Sequence, residues 1–209
     1  NGSTLASQAG WIGQSYFGNG AANNKIENCS SEGAISAIQA GGICGPFAGI
    51  YGGTVTVTKC YSTGAISANQ AGGICGPFAG NSGGTVTVTK CYSTGPISGN
   101  SAGGICGSHA GIYGGTVMVT NCYSEGAISA DSAGGICGSG AGYSAGTVTV
   151  TNCYSAGTLT AGGQGIFGSI ASNKTSVTSP NCYAANGSWI DTAADAALMS
   201  GGVQHLSSS

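Results

Sequence analysis

Threonine and valine alternate strictly in three five-residue stretches of the chain, and a fourth stretch differs at one position. TVTVT occupies residues 54–58, 85–89 and 147–151, and TVMVT occupies residues 116–120. Strict alternation is typical of a β-strand with one buried side and one solvent-facing side. Glycine precedes each stretch, as expected where a turn leads into a strand. The pattern predicts four equivalent strands with valine inward and threonine outward.

These stretches lie inside a longer repeat. Each unit reads G-G-I-C-G, a variable glycine-rich stretch, T-V-T-V-T, a K-C or N-C pair, and then Y-S-x-G-x-I-S. One cysteine series is Cys29, Cys60, Cys91, Cys122 and Cys153 at 31-residue steps, followed by Cys182, and a second is Cys44, Cys75, Cys106 and Cys137. Because one short unit cannot bury its own apolar face, successive units must stack on one another.

The repeat predicts an all-β fold, a β-solenoid of five to six stacked coils of about 31 residues, with coils about 4.8 Å apart. Residues 1–29 are expected to form a degenerate N-terminal coil, residues 30–183 the repeat solenoid, and residues 184–209 a C-terminal cap and tail. The segment SWIDTAADAALM at residues 188–199 has the character of a short helix and predicts a helical cap over the last coil.

Charge is scarce along the chain. Of 209 residues, four are basic and six are acidic, which gives a net charge of −2. Lysine and arginine supply most of the affinity for nucleic acid, and no basic cluster occurs here. Apolar runs are interrupted long before the roughly 20 residues of a membrane-spanning helix. We therefore expect neither a nucleic-acid partner nor membrane insertion.

The sequence offers no recurring catalytic pattern. The carboxylates are few and scattered, and no Ser-His-Asp set, paired carboxylates or phosphate-binding loop repeats with the coils. His109 and His205 stand in unrelated contexts, and C-x-x-C is absent. We predict a protein that is not an enzyme and that needs no cofactor or metal.

Three arrangements of the ten cysteines fit the period. They could be buried thiols in ladders, since free cysteine is often buried. They could form disulfides within a coil, such as Cys44 with Cys60, or disulfides between neighbours in one column, although stacked Cβ atoms about 4.8 Å apart suit that bond poorly. A second column, of Tyr61, Tyr92, Tyr123, Tyr154 and Tyr183, could bind sugar rings, but stacking of the tyrosines on one another is the favoured interpretation.

The G-G-I-C-G element followed by V-T-N-C-Y-S-x-G-x-I-S resembles the GLUG repeat, a glycine-rich motif of extracellular and surface proteins. The resemblance spans roughly residues 10–183. It implies a β-solenoid in a protein that is secreted or lies on a cell or virion surface. It supplies no catalytic residues. The sequence departs from the family pattern where cysteine stands at positions 44, 75, 106 and 137.

The outward threonines of the predicted strands form a regular array, interrupted at Met118. Its members are Thr54, Thr56, Thr58, Thr85, Thr87, Thr89, Thr116, Thr120, Thr147, Thr149 and Thr151. A less regular continuation is expected at Thr175 and Thr178. The array resembles the Thr-x-Thr ice-binding faces of insect β-solenoid antifreeze proteins. Two functions therefore remain open: an ice-binding protein whose partner is ice or ordered water, and a structural or adhesive module whose partners are other surface proteins.

Overall fold

The computed structural model describes residues 4–160, 162–169 and 177–184, and it contains no helix within these ranges. Each coil contributes one long strand and one short strand to two separate sheets. The long strands are β1 (Asn24–Glu27), β3 (Thr54–Thr58), β5 (Thr85–Thr89), β7 (Thr116–Thr120), β9 (Thr147–Thr151) and β11 (Val177–Thr178). The short strands are β2 (Ser30–Ser31), β4 (Tyr61–Ser62), β6 (Tyr92–Ser93), β8 (Tyr123–Ser124), β10 (Tyr154–Ser155) and β12 (Tyr183–Ala184).

Both sheets are parallel, and each has six strands. The long-strand sheet has the order β1-β3-β5-β7-β9-β11, and the short-strand sheet has the order β2-β4-β6-β8-β10-β12. Strands of the regular coils pair with the strand 31 residues later, so Thr54 lies beside Thr85 and Tyr61 beside Tyr92. The predicted all-β β-solenoid is therefore confirmed, with about five turns.

Hydrogen bonds join successive coils outside the two sheets as well. Single parallel bridges connect Ile66 with Ile97, Gly72 with Gly103, and the equivalent positions of other coils. The backbone therefore satisfies its polar groups against the next coil around much of the circuit, as buried backbone must.

The interior consists of two apolar clusters. Val55 and Val57, which were predicted to point inward, are at most 1% exposed, and Cys60 and Ile66 are fully buried beside them. The larger cluster contains the valines and cysteines, and the smaller contains Ile66 and its equivalents with alanine. The hydroxyls of Ser62, Ser93 and Ser124 are also buried, and none has a hydrogen-bond partner among the described residues.

The first coil follows the repeat in spite of its divergent sequence. Gly10 bridges to Gly41, Gly13 bridges to Cys44, and β1 pairs with β3. The domain boundaries at residues 29–30 and 183–184 stay predictions. The predicted helical cap at residues 188–199, and all of the tail beyond residue 184, lie outside the described residues.

A left-handed residue turns the chain from each long strand into the next short strand. Lys59, Lys90, Asn121 and Asn152 have φ of 53°, 55°, 55° and 52°. Asparagine adopts this conformation more readily than most residues. The Asn152 side-chain amide also donates to the Asn121 side-chain oxygen at 3.3 Å, which adds a contact between the coils.

Stacking leaves no room for a side chain at Gly73. A methyl group there would overlap the backbone carbonyl oxygen of Gly104 in the next coil. Gly83 offers a matched control, because a methyl group there would meet nothing within 4 Å, although its φ of +76° is one that alanine rarely adopts. We expect Gly73→Ala to lower the free energy of unfolding by about 3 kcal/mol or more, and Gly83→Ala by about 1 kcal/mol. Urea denaturation followed by circular dichroism would measure both, and equal losses would contradict the tight stacking.

Candidate functional site

The structure brings all eleven predicted threonines together on the outer side of the long-strand sheet. Strand pairing keeps them in register in three columns, which we call the threonine face. The first column is Thr54, Thr85, Thr116 and Thr147; the second is Thr56, Thr87, Met118 and Thr149; the third is Thr58, Thr89, Thr120 and Thr151.

Side-chain burial on these strands alternates as the sequence predicts. On β3 and β5 the valines are buried and the threonines are partly exposed, and β9 follows the same pattern with a more exposed Thr147. Two hydroxyls of the face have partners among the described residues: that of Thr54 accepts from the Asn23 backbone N–H at 2.8 Å, and that of Thr149 accepts from Thr178 at 3.4 Å. Within the described ranges, the other threonine hydroxyls of the face have no hydrogen-bond partner.

Successive coils have nearly the same orientation. The rings of Tyr61, Tyr92, Tyr123 and Tyr154 stack at centroid distances of 4.9 Å with interplanar angles of 3°, 3° and 1°. Neighbouring strands of ordinary sheets rotate by roughly 20–25°. Twist would carry each ring sideways from one coil to the next, but the centroid distance of 4.9 Å is almost entirely accounted for by the spacing of about 4.8 Å between stacked strands. The coils therefore stack with little twist, which favours a nearly flat array on their outer side.

Met118 interrupts the centre of the threonine face. It lies between Thr87 and Thr149 in the second column, and it is 39% exposed. Its longer apolar side chain replaces a methyl group and a hydroxyl at one position. The array is thus complete at eleven of twelve positions.

A charged pair borders the face at the first coil, which our sequence analysis missed. Lys25 pairs with Thr56 and Glu27 pairs with Thr58, so both lie in line with the threonine columns. Their charged groups are 4.0 Å apart, and the side chains are 65% and 41% exposed. An exposed ion pair adds little stability, but charge on an edge strand opposes pairing with another chain. The 31-residue step back from Thr56 and Thr58 would have identified both residues.

The opposite end of the face continues irregularly. Thr178 pairs with Thr149 and extends the second column by one coil. Thr175, the other threonine expected there, lies outside the described residues.

The tyrosine column forms a stacked ladder on the outer side of the short-strand sheet. Each ring face from Tyr61 to Tyr154 lies against the next ring, so the ladder presents ring edges to solvent. A sugar ring binds an aromatic residue over its face. The geometry therefore favours stacking over sugar binding for these tyrosines.

All ten cysteines are free thiols, and nine of them are buried. Cys44, Cys75, Cys106 and Cys137 form one ladder through parallel bridges. In the other ladder the backbone N–H of Cys60 donates to the sulfur of Cys91 at 3.4 Å. Of the three arrangements that fit the sequence, the structure has the buried ladders, and Cys44 and Cys60 are not joined by a disulfide.

Comparison with solved structures finds similarity to a Bacteroides ovatus protein whose crystal structure is described as that of a putative immunoglobulin A1 protease. The two are 25% identical with a TM-score of 0.50, and the match covers 80% of this chain and 52% of that one. This chain therefore spans about half the length of its structural neighbour. No protein-family model and no curated protein matches the sequence, so the GLUG resemblance stays a prediction.

The described segments offer neither a membrane-spanning helix nor a metal site. They contain no helix with the length and hydropathy that a membrane crossing requires. They also contain no grouping of three or more His, Cys, Asp or Glu side chains placed to hold a metal ion.

The buried thiols of Cys44 and Cys75 link the stability of the solenoid to pH. Burial raises the pKa of the Cys44 thiol, and the neighbouring Cys75 thiol raises it further. A thiol in the unfolded chain has a pKa of about 8.5. The folded state therefore keeps this proton at pH values where the unfolded chain has lost it, and the resulting stabilisation is complete below the unfolded pKa and declines above it.

We expect the free energy of unfolding to fall between about pH 8 and about pH 10. Urea denaturation at each pH would measure it. The double variant Cys44→Ala–Cys75→Ala removes two of the buried thiols and should show a smaller fall. A fall of equal size in the variant would assign the pH dependence to other groups.

Proposed function

We propose that this protein is a non-catalytic ice-binding protein and that the threonine face is its ice-binding site. The observation that carries the proposal is the in-register array of eleven outward threonines on a sheet whose coils stack with little twist. Ice or ordered water is then the partner. The protein would be secreted or carried on a cell or virion surface, where it meets ice outside the cell.

The array has the two repeats that an ice surface requires. Threonines two residues apart on a strand are separated by about 6.8 Å, and threonines on stacked coils by about 4.8 Å. These distances are close to oxygen repeats on ice surfaces. A flat grid with both repeats can match many water positions at once, whereas a strongly twisted sheet would lose the match after one or two strands.

Threonine suits such a surface in both halves of its side chain. Branching at Cβ restricts χ1, so the groups are held in place before binding and lose little entropy on contact. The methyl groups can order water between regularly placed hydroxyls, most of which have no protein partner among the described residues. No charged side chain lies within the twelve positions, so strongly hydrated groups do not disturb the water layer.

A structural or adhesive module of a longer surface protein is the second candidate function. The observation that favours it is that this chain matches about half of a larger protein of similar fold. In such a protein the solenoid would be a rigid spacer, and the threonines would be there for their strand propensity. The GLUG-like repeat is compatible with either function.

Proteolysis, which the description of the structural neighbour suggests, has little support in the geometry. The contact most like a catalytic pair joins the His109 Nδ1 and the Ser108 hydroxyl at 3.0 Å. Ser108 is fully buried, and no described carboxylate contacts His109. A serine nucleophile needs access to substrate and a base that a third group orients. We therefore keep the prediction that the protein is not an enzyme.

Replacing Thr87 by tyrosine tests the site directly. Thr87 lies in the second column, between Thr56 and Met118, and a bulky ring there would lift the face away from ice. We expect Thr87→Tyr to abolish freezing-point hysteresis and ice-crystal shaping while circular dichroism shows an unchanged fold. Thr63→Tyr is the matched control, because Thr63 is exposed just beyond β4 and away from the face. Activity in both variants would assign the threonines to strand formation alone, and inactivity of the parent protein would exclude ice binding.

Filling the gap in the array offers a test by gain of activity. Met118→Thr would complete the twelve positions and remove the one long apolar side chain from the centre of the face. We expect a larger hysteresis at equal protein concentration, because the number of matched positions increases without a change in the buried side of β7. A decrease, or no change at any concentration, would contradict a role for the array as a whole.

A further inference from the structure

Three strongly exposed tyrosines lie on the loop corner that leads into the long strands. Tyr51, Tyr113 and Tyr143 are 65%, 58% and 44% exposed. The loops are joined through their backbones: the N–H of Tyr51 donates to the carbonyl of Asn81, and that of Tyr113 donates to the carbonyl of Tyr143, both at 3.3 Å. The three rings therefore belong to one continuous corner of the solenoid, which we call the loop corner.

The rings of Tyr51 and Tyr113 differ from those of the stacked ladder in having open faces. Both residues occupy the same position of the repeat, with Ser82 in the coil between them and Ser144 in the coil after Tyr113. Serine is too small to cover a neighbouring ring. None of the ring stacks between described residues includes Tyr51 or Tyr113.

The spacing of the open rings suits an extended polymer with a two-unit repeat. Tyr51 and Tyr113 are two coils apart, which corresponds to about 9.6 Å along the solenoid axis. In a β-1,4-linked polysaccharide, alternate sugar units turn the same face to one side, and the repeat of two units is close to this distance. The axial C–H groups of such sugars pack on the faces of aromatic rings.

The surroundings of the loop corner favour a neutral ligand over a charged one. The loops and long strands at residues 48–58, 79–89, 110–120 and 141–151 contain no charged residue. One polar group between the rings can accept a bond from a sugar hydroxyl: the Ser82 oxygen, whose own proton is donated to the side-chain oxygen of the buried Asn81 at 2.8 Å. Anionic polymers such as nucleic acid would find no basic partner at this corner.

We propose that the loop corner is a binding site for a neutral, extended β-1,4-linked polysaccharide, with Tyr51 and Tyr113 each packing on one sugar unit and Tyr143 extending the surface. This site is separate from the threonine face, and the proposal does not depend on ice binding. It gives the protein a means of attachment to a polysaccharide-bearing surface.

Affinity electrophoresis in gels containing hydroxyethylcellulose, with dextran gels as the α-linked comparison, tests the proposal. We expect the β-linked polymer to retard the parent protein and dextran to leave it unretarded. The double variant Tyr51→Ala–Tyr113→Ala should bind about tenfold or more weakly, while Tyr154→Ala, which removes a ladder tyrosine that is 38% exposed, should bind like the parent. A parent protein that both polymers leave unretarded, or a double variant as retarded as the parent, would overturn the proposal.

A third variant distinguishes binding to open ring faces from nonspecific binding to an apolar patch. At their present separation of about 9.6 Å, the Tyr51 and Tyr113 rings have room to lie flat along the corner. Ser82→Tyr would place a ring about 4.8 Å from each, and rings at that spacing stand face to face, as in the ladder, so their faces would turn away from a polymer running along the corner. The local backbone accommodates tyrosine, because Ser82 has φ of 53° and the two tyrosines have φ of 55° and 52°. We expect weaker polysaccharide binding in spite of the added aromatic surface. Stronger binding would show a nonspecific apolar patch and would overturn the role of the open ring faces.

Discussion

Hydrogen bonding between equivalent residues of successive coils is the constraint on which the rest of this structure depends. Because each coil bonds to the next in register, a residue at one position of the repeat faces its equivalent 31 positions away. The backbone fixes the spacing at about 4.8 Å, so each side chain has its equivalent in the next coil as its neighbour. Small glycines such as Gly73 allow this close approach at places where any side chain would meet the next coil.

In-register stacking turns each position of the repeat into a column with its own chemistry. Valine and cysteine columns fill the interior, tyrosine forms a ladder of parallel rings, and the Gln39 side-chain amide donates to the Gln70 side-chain oxygen at 3.0 Å on another side. The outward threonine columns follow from the same rule. A surface made in this way is periodic in two directions, which is an unusual property for a protein and the basis of the proposed recognition of ice. Departures from the repeat, such as the tyrosines of the loop corner, give single sites on the periodic background.

The sequence was most informative where the repeat is regular. A period of 31 residues and the alternation of Thr54 to Thr58 were sufficient to predict the β-solenoid and its inward valines, because period-two strands that recur at a fixed step have few other ways to bury one side. The pairing of Lys25 with Thr56 was missed because the first coil has lost the motif although it keeps the register. Exposure of Tyr51 could not be predicted, since it depends on the conformation of a glycine-rich loop. The choice between free thiols and disulfides was also open, because the spacing alone fits both.

The central claim is that register and flatness together make the threonine face complementary to ice. The most direct test is ice-plane affinity, in which a single ice crystal is grown slowly in a dilute solution of the fluorescently labelled protein. Our account predicts that fluorescence is incorporated on discrete crystal planes. Exclusion of the protein from the growing ice, as for a label alone, would contradict it.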